Sequence, residues 1–168
     1  EGVVIHATDI RIELCKNASQ ELVEALELIE QRTMKNPWSA QSLKECFVDA
    51  YKLLAIYRKG VVAGFSVIYN TRITTDLLTI AIDPQYQGLG LGRLLLKETL
   101  REAINGGADE CFLEVRRSNI RAQSLYKSAG FEVVGVRKNY YGATLGSEAE
   151  DAFTMSVSSL SALEFLKI

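Results

Sequence analysis

The stretch Asp83 to Arg93, Asp-Pro-Gln-Tyr-Gln-Gly-Leu-Gly-Leu-Gly-Arg, constrains this chain more than any other part of it. Gly88, Gly90 and Gly92 alternate between an apolar, β-prone run, Leu77 to Ile82, and a strongly helical one, Leu91 to Ile104. Strand, glycine turn and helix in that order make a cradle for phosphate. Glycines let the backbone approach an anion, and a helix start leaves amide N–H groups unpaired and aimed at it. Two common phosphate motifs fail on spacing. Gly-x-Gly-x-x-Gly finds no third glycine from Gly88 or Gly90, and a triphosphate loop would continue with Lys where Arg93 follows Gly92. Gln87-x-x-Gly90-x-Gly92 is the spacing present, and a glycine-rich connection with no ligand is the plain alternative.

With 168 residues, 48% hydrophobic and 24% charged, the chain reads as one domain able to bury a sizeable core. A net charge of −2 offers no general basic field, so direct nucleic-acid binding is not expected, and a mildly acidic surface suits a basic partner. Cys15, Cys46 and Cys111 are odd in number and scattered, which fits a reducing compartment. His6 is the sole histidine, so neither a zinc site nor a histidine-based triad is expected. No run reaches the roughly 18 apolar residues of a membrane span, and no signal peptide is visible. The expectation is a cytoplasmic protein with no metal and no membrane attachment.

Alternation makes Ile10 to Leu14 the first strand, and Leu22, Leu26 and Ile29 place an amphipathic helix over Glu21 to Arg32. Asn36-Pro37-Trp38 breaks it, and Ser39 caps a second short helix carrying Leu43 and Phe47. Tyr51 to Tyr57 and Val61 to Tyr69 form a hairpin about Arg58-Lys59-Gly60. After the Leu77 strand and the Leu91 helix, which Gly106-Gly107 ends, come a strand at Cys111 to Val115 and a helix at Asn119 to Ala129. Gly130 takes the left-handed position beyond that helix, with Phe131 folding back. Strands at Val133 to Val136 and Ala152 to Val157 complete a mixed α/β sheet.

Three residues stand out from their surroundings. Glu114 is the only charged residue in the run Cys111 to Val115, either a surface-facing glutamate or a carboxylate held for chemistry. Tyr126 lies on the apolar stripe of its helix, where tyrosines usually pack. Trp38, between two helices, reads as a core anchor or a binding residue. Cys111 alternates away from Glu114 and has no histidine to activate it, which disfavours an acyl-cysteine intermediate.

Several pieces follow one another in order along the chain: Ile80-Ala81-Ile82-Asp83-Pro84, Gln87 to Gly92, Leu113-Glu114-Val115-Arg116, and Ser118-Asn119-x-x-Ala122-x-x-Leu125-Tyr126-x-x-x-Gly130-Phe131. Arg137-x-Asn139-Tyr140-Tyr141 follows them, Glu150-Asp151-Ala152-x-x-Met155 ends the series, and Pro37-Trp38-Ser39 precedes it. Together they resemble the ribosomal-protein-alanine N-acetyltransferases of the GNAT superfamily, from about Ile10 to Val157. The resemblance implies a GNAT fold of mixed α/β (α+β) class, its central mixed, mostly antiparallel, splayed sheet flanked by helices. It implies a single N-acetyltransferase domain over 1–168, with a core at about 10–157 and a C-terminal extension at 158–168. Leu160, Leu163 and Leu166 are expected to pack that extension on the body or on a second subunit. The loop Gly142 to Ser147 departs from the relatives' usual Pro/Asp-containing turn, which bears on substrate selectivity.

The resemblance also implies roles. Acetyl-CoA is the co-substrate, its pyrophosphate held by Gln87, Gly88, Leu89, Gly90, Leu91 and Gly92, with Arg93 adding charge or simply solvated. Its pantetheine arm pairs with the strand backbone at Leu78, Ile80, Ala81 and Ile82, where an N–H holds the thioester carbonyl and its developing oxyanion. Asn119 caps its helix, contacts CoA, or both. Glu114 becomes the general base and Tyr126 the general acid that protonates the departing thiolate, so Tyr126 also touches the cofactor. Trp38, Tyr140 and Tyr141 line the groove for a protein N-terminus. The implied substrate is the N-terminal alanine of a small-subunit ribosomal protein, acetylated by direct attack by an enzyme that is a monomer or weak homodimer. Two alternatives stand beside this: a broader N-terminal or lysine acetyltransferase, and an acetyl-CoA-binding sensor without turnover.

Overall fold

The computed structural model describes residues 3–7, for backbone only, 9–143 and 148–167. The side chain of His6, the centre of the departing loop (144–147) and Ile168 lie outside the described residues. Its elements are β1 (Val3–Ala7), β2 (Ile10–Cys15), α1 (Gln20–Thr33), α2 (Ala40–Glu45), β3 (Tyr51–Arg58), β4 (Val61–Asn70) and β5 (Thr74–Ile82). They continue with a 3-10 turn (Pro84–Tyr86), α3 (Leu91–Asn105), β6 (Glu110–Arg116), α4 (Ile120–Ser128), β7 (Glu132–Tyr141), β8 (Glu150–Ser158) and α5 (Ser159–Leu166). This is the mixed α/β class that the sequence predicts. No helix among the described residues is long and apolar enough to cross a membrane. The chain divides into two compact units, residues 1–69 with 78–99, and residues 70–77 with 100–168, so β5 and α3 each contribute to both.

In the first unit, β1 to β4 pair in sequence order, each antiparallel to the next. Ile10 to Leu14 is therefore the second strand, not the first. Val-Val-Ile-His-Ala lacks the polar alternation that marks a strand edge, so β1 was not visible in the sequence. Ser19 and Ser39 cap α1 and α2 by accepting from the amides of Leu22 and Ser42, freeing neither helix start to fray. Val23, Leu26 and Ile29 of α1 meet Leu43, Leu53, Phe65 and Val67 in the core. Ala63 is an extra residue in β4, because Ile56 faces Gly64 while Tyr57 faces Val62. Its carbonyl accepts from the Asp83 amide at 2.7 Å, and so the bulge anchors the start of the glycine loop.

In the second unit, Thr74–Leu77 of β5 runs parallel to Glu110–Leu113 of β6. β8 pairs antiparallel with β6 on one side and β7 on the other. Helix α4 ends as the sequence predicts. Gly130 sits at φ 101°, its amide donates to Lys127, the Phe131 amide donates to Tyr126, and the Tyr126 and Phe131 rings lie 5.7 Å apart. The C-terminal helix α5 forms, but in another register than its leucines suggest. Ala162 and Phe165 are buried, whereas Leu160 is 77% and Leu163 42% exposed.

Candidate active site

The glycine loop is built from its entry inward. Asp83, buried at 5% exposure, accepts from the Gln85 amide through Oδ1 and pairs through Oδ2 with Arg32 of α1 at 2.9 Å. The Gln87 side chain donates back to the Ile82 carbonyl at 3.0 Å. Between these ties and α3 the backbone turns through Gly88 and Gly90, at φ 81° and 80°, where any L side chain is strained. A Cβ built at either glycine meets nothing within 4 Å, so the loop's surface is bare backbone. The Gly90 carbonyl accepts from the Leu94 amide at 3.2 Å, so the hydrogen-bond ladder of α3 begins at Gly90 and the first turn of the helix opens directly from the loop. Such a helix start suits the pyrophosphate of a CoA substrate in charge and shape. Gln87, Gly88, Leu89 and Gly90 are exposed, Gly92 and Arg93 half-buried, and Leu91 is buried under the first turn.

Along β5, Leu78 is 40% exposed, Ile80 and Ile82 are half-buried, and Thr79 and Ala81 are buried. A Cβ at Gly64 would lie 2.5 Å from the Ala81 carbonyl oxygen, so the close approach of β4 to this strand requires glycine there. Trp38 is half-buried and packs against the core formed by α1, α2 and β4, which joins the anchoring role to a partly open face. Its amide donates to Glu30 at 3.1 Å.

In the second unit, Glu114 stands on the opposite face of β6 from buried Cys111, Leu113 and Val115. Thr154 Oγ1 donates to its Oε2 at 2.7 Å, and Arg137 Nε lies 3.2 Å from its Oε1. Burial pushes the Cys111 thiol up to about 12, which leaves it a poor nucleophile. Burial also raises Tyr126 above the ordinary phenol value, with the nearby Tyr141 phenol adding to the shift. Tyr126 is therefore protonated throughout the physiological range. Asn119 is the N-cap of α4, its Oδ1 accepting from Ala122 at 3.1 Å.

The pairing of β7 with β8 is irregular between Arg137 and Tyr141, where Asn139 adopts φ 51° and its amide donates to Asp151 Oδ1 at 2.9 Å. Tyr140 lies in this bulge, and Tyr141 resumes the ladder opposite Glu150. Their rings meet edge-on at 5.2 Å. Arg137 lies over Tyr140 at 5.2 Å and Arg116 over Tyr141 at 4.1 Å. Arg116 is held in turn by Glu150, whose other oxygen accepts from the Ser118 amide ahead of α4. Within this unit Arg137 joins Glu114 to Tyr140, and Glu150 joins the α4 entry to Tyr141. The sequence reading missed Arg32, Glu30, Thr154 and Arg137 as site-shaping residues. The Arg137-x-Asn139-Tyr140-Tyr141 piece was the available signal for the last of them.

The Acetyltransferase (GNAT) family model matches residues 18–131. The curated ribosomal protein bS18-alanine N-acetyltransferase of Escherichia coli is 37% identical over 129 residues, 77% of this chain and 86% of that protein. The protein of the same name from Haemophilus influenzae is 37% identical over 133 residues, 79% of this chain and 90% of that one. The crystal structure of the Escherichia coli ribosomal-protein-alanine N-acetyltransferase matches with a TM-score of 0.78 at 33% identity, covering 88% of this chain and 93% of that one. The glycine turn opening α3 lies inside the matched region, and the chain belongs to the GNAT acetyltransferase family.

Proposed function

We propose that this protein transfers acetyl from acetyl-CoA to the N-terminal alanine of ribosomal protein bS18. The observation that carries this reading is the 37% identity over 129 residues to the curated Escherichia coli protein. The enzyme works, in this reading, in the cytoplasm. In this reading the amides at Gly88 to Arg93 hold the pyrophosphate, and the β5 backbone from Leu78 to Ile82 receives the pantetheine arm. Trp38, Tyr140 and Tyr141 contact the peptide.

The neutral α-amine attacks the thioester carbonyl. A C–N bond forms and the C–S bond breaks, giving an amide and CoA thiolate; the amine proton leaves through Glu114 to solvent, and the released thiolate takes one back from solvent. Glu114 accepts the ammonium proton, directly or through water, from an amine whose ordinary pKa near 8 asks little of the base. Its bonds to Thr154 and Arg137 hold the carboxylate in one orientation. Tyr126 supplies a hydrogen bond to the leaving sulfur. With its acidity weakened by burial, the phenol stabilises the thiolate without fully surrendering its proton to a thiol of ordinary pKa near 8.5. Asn119 caps α4, and in this reading its amide also contacts CoA.

Thiol release from acetyl-CoA tests the reading, measured with a peptide copying the bS18 N-terminus and with the same peptide blocked at its α-amine. Release with the free peptide alone is expected. Binding of CoA without peptide-dependent release would instead make the protein a sensor, and release with the blocked peptide would make it a lysine acetyltransferase.

A further inference from the structure

Glu30 is 1% exposed, yet both oxygens of its carboxylate are engaged. Oε1 accepts from Thr79 Oγ1 at 2.9 Å, and Oε2 accepts from the Trp38 amide at 3.1 Å. Burial raises its pKa above the ordinary carboxylate value, with both hydrogen bonds opposing the shift. One turn earlier on α1, Glu27 accepts from the Ala40 amide at 2.8 Å. Two carboxylates of one helix thus hold the Trp38–Ala40 loop by its backbone, but of these contacts only those of Glu30 reach β5. A buried carboxylate is an expensive way to join two segments that apolar packing could join. What it adds is geometry, because two acceptors on one planar group fix loop and strand relative to each other.

We propose that Glu30 is a positioning residue. It sets the loop carrying Trp38 against the strand Leu78–Ile82, and so aligns the incoming amine with the acetyl carbonyl. The inference rests on the reading above, in which the peptide contacts Trp38 and the acetyl arm lies along β5. Misalignment of reacting groups by about 1 Å is enough to lower a rate roughly 10²-fold, so the joint matters to turnover beyond its part in the fold.

The test compares Glu30→Ala, Glu30→Gln, Thr79→Val and Trp38→Ala by steady-state kinetics in both substrates, with thermal melts alongside. Thr79→Val keeps the Trp38 bond and loses the strand bond, so kcat should fall about 10-fold while both KM values hold. Glu30→Ala should lower kcat/KM for the peptide by roughly 10²-fold and leave the KM for acetyl-CoA within about twofold. Glu30→Gln can accept from Trp38 through its oxygen and donate to Thr79 through its nitrogen, so it should recover activity to within about threefold. Should Glu30→Ala fail to fold, the valine and glutamine variants still decide. Wild-type kinetics in Thr79→Val, or losses that follow the melting temperature and fall equally on both substrates, would overturn the inference alone, provided Trp38→Ala raises the peptide KM. An unchanged peptide KM in Trp38→Ala would overturn the underlying reading of the loop and this inference with it.

Discussion

Arg137 Nε lies 3.2 Å from Glu114 Oε1, on a carboxylate whose other oxygen accepts from Thr154 at 2.7 Å. Glu114 and Thr154 are register partners in the β6–β8 ladder, and Arg137 comes from β7 on the far side of β8. A proposed base held on both oxygens is oriented before substrate arrives. Glu114→Gln keeps the size of the group and an acceptor for Thr154, so the fold should persist while kcat falls about 10²-fold. Arg137 is 58% exposed, and its loss should change stability by less than about 1 kcal/mol. Steady-state rates and urea melts on Glu114→Gln and Arg137→Ala separate the two roles. A full-rate glutamine variant removes Glu114 from the mechanism.

Tyr126 occupies the last turn of α4 and packs its ring 5.7 Å from that of Phe131. Phenylalanine there preserves the packing and deletes only the hydroxyl. Tyr126→Phe should therefore melt within a few degrees of wild type. Because burial weakens the phenol as an acid, the loss in kcat should lie near or below the lower end of the roughly 10²–10⁴-fold range for a positioned acid. Truncation to alanine is a different experiment, costing about 3–5 kcal/mol of core packing. An unchanged kcat in the phenylalanine variant would leave Tyr126 a purely structural residue.

What could be read in advance follows from the range of each interaction. The glycine turn, the Ser39 cap and the Gly130–Phe131 helix stop are encoded by residues a few positions apart, and all were legible. Glu114 could be singled out as a lone charge in an apolar strand, but Thr154 and Arg137 reach it only through strand pairing. Glu30 looks like any polar position of an amphipathic helix. Its burial becomes visible only when Thr79 and the Trp38 amide arrive from elsewhere. The leucines of the C-terminal segment predict a helix but the wrong contact face, since Ala162 and Phe165 are the buried positions while Leu160 and Leu163 are exposed. The five-residue strand Val3–Ala7 carries no periodicity that would announce it.

Gly90 stands at φ 80° with open space before it. Alanine there meets no atom, so its cost is confined to the backbone, about 1–2 kcal/mol. A larger side chain such as valine also covers the amides of the α3 start. Titration calorimetry with CoA should show weakened binding in Gly90→Val and a smaller loss in Gly90→Ala. Unchanged affinity in the valine variant would move the phosphate site away from this loop.

Glu30 also leaves a mark on pH-dependent stability. Its folded pKa is raised, so between the ordinary carboxylate value of about 4.3 and the folded value the native state binds more protons than the unfolded chain. Stability from this group is therefore lost as pH rises through that window. Glu30→Gln cannot titrate, and the stability difference, wild type minus variant, should decline from acid to neutral pH before levelling off. Urea melts at a series of pH values measure it. A constant difference would mean that the carboxylate has the same pKa folded and unfolded.

Selection of the amine follows from acid–base chemistry together with the proposed peptide contacts. An α-amine has an ordinary pKa near 7.7–8.0 and a lysine ε-amine near 10.4, so at neutral pH the neutral fraction differs by more than 10²-fold. Positioning one general base beside the amine, worth roughly 10²–10⁴-fold to either amine alike, does not offset that gap. A peptide beginning with free alanine or serine should be acetylated at its N-terminus and left untouched at internal lysines, which mass spectrometry of the product reads directly. Tyr141 is half-buried beneath Arg116, whereas Tyr140 is 48% exposed and better placed to meet a ligand from solvent. Tyr140→Ala should accordingly raise the peptide KM several-fold with little change in the KM for acetyl-CoA, while Tyr141→Ala should also lower the melting temperature. Predominant lysine acetylation, or equal effects of Tyr140→Ala on both substrates, would count against a protein N-terminus as the acceptor.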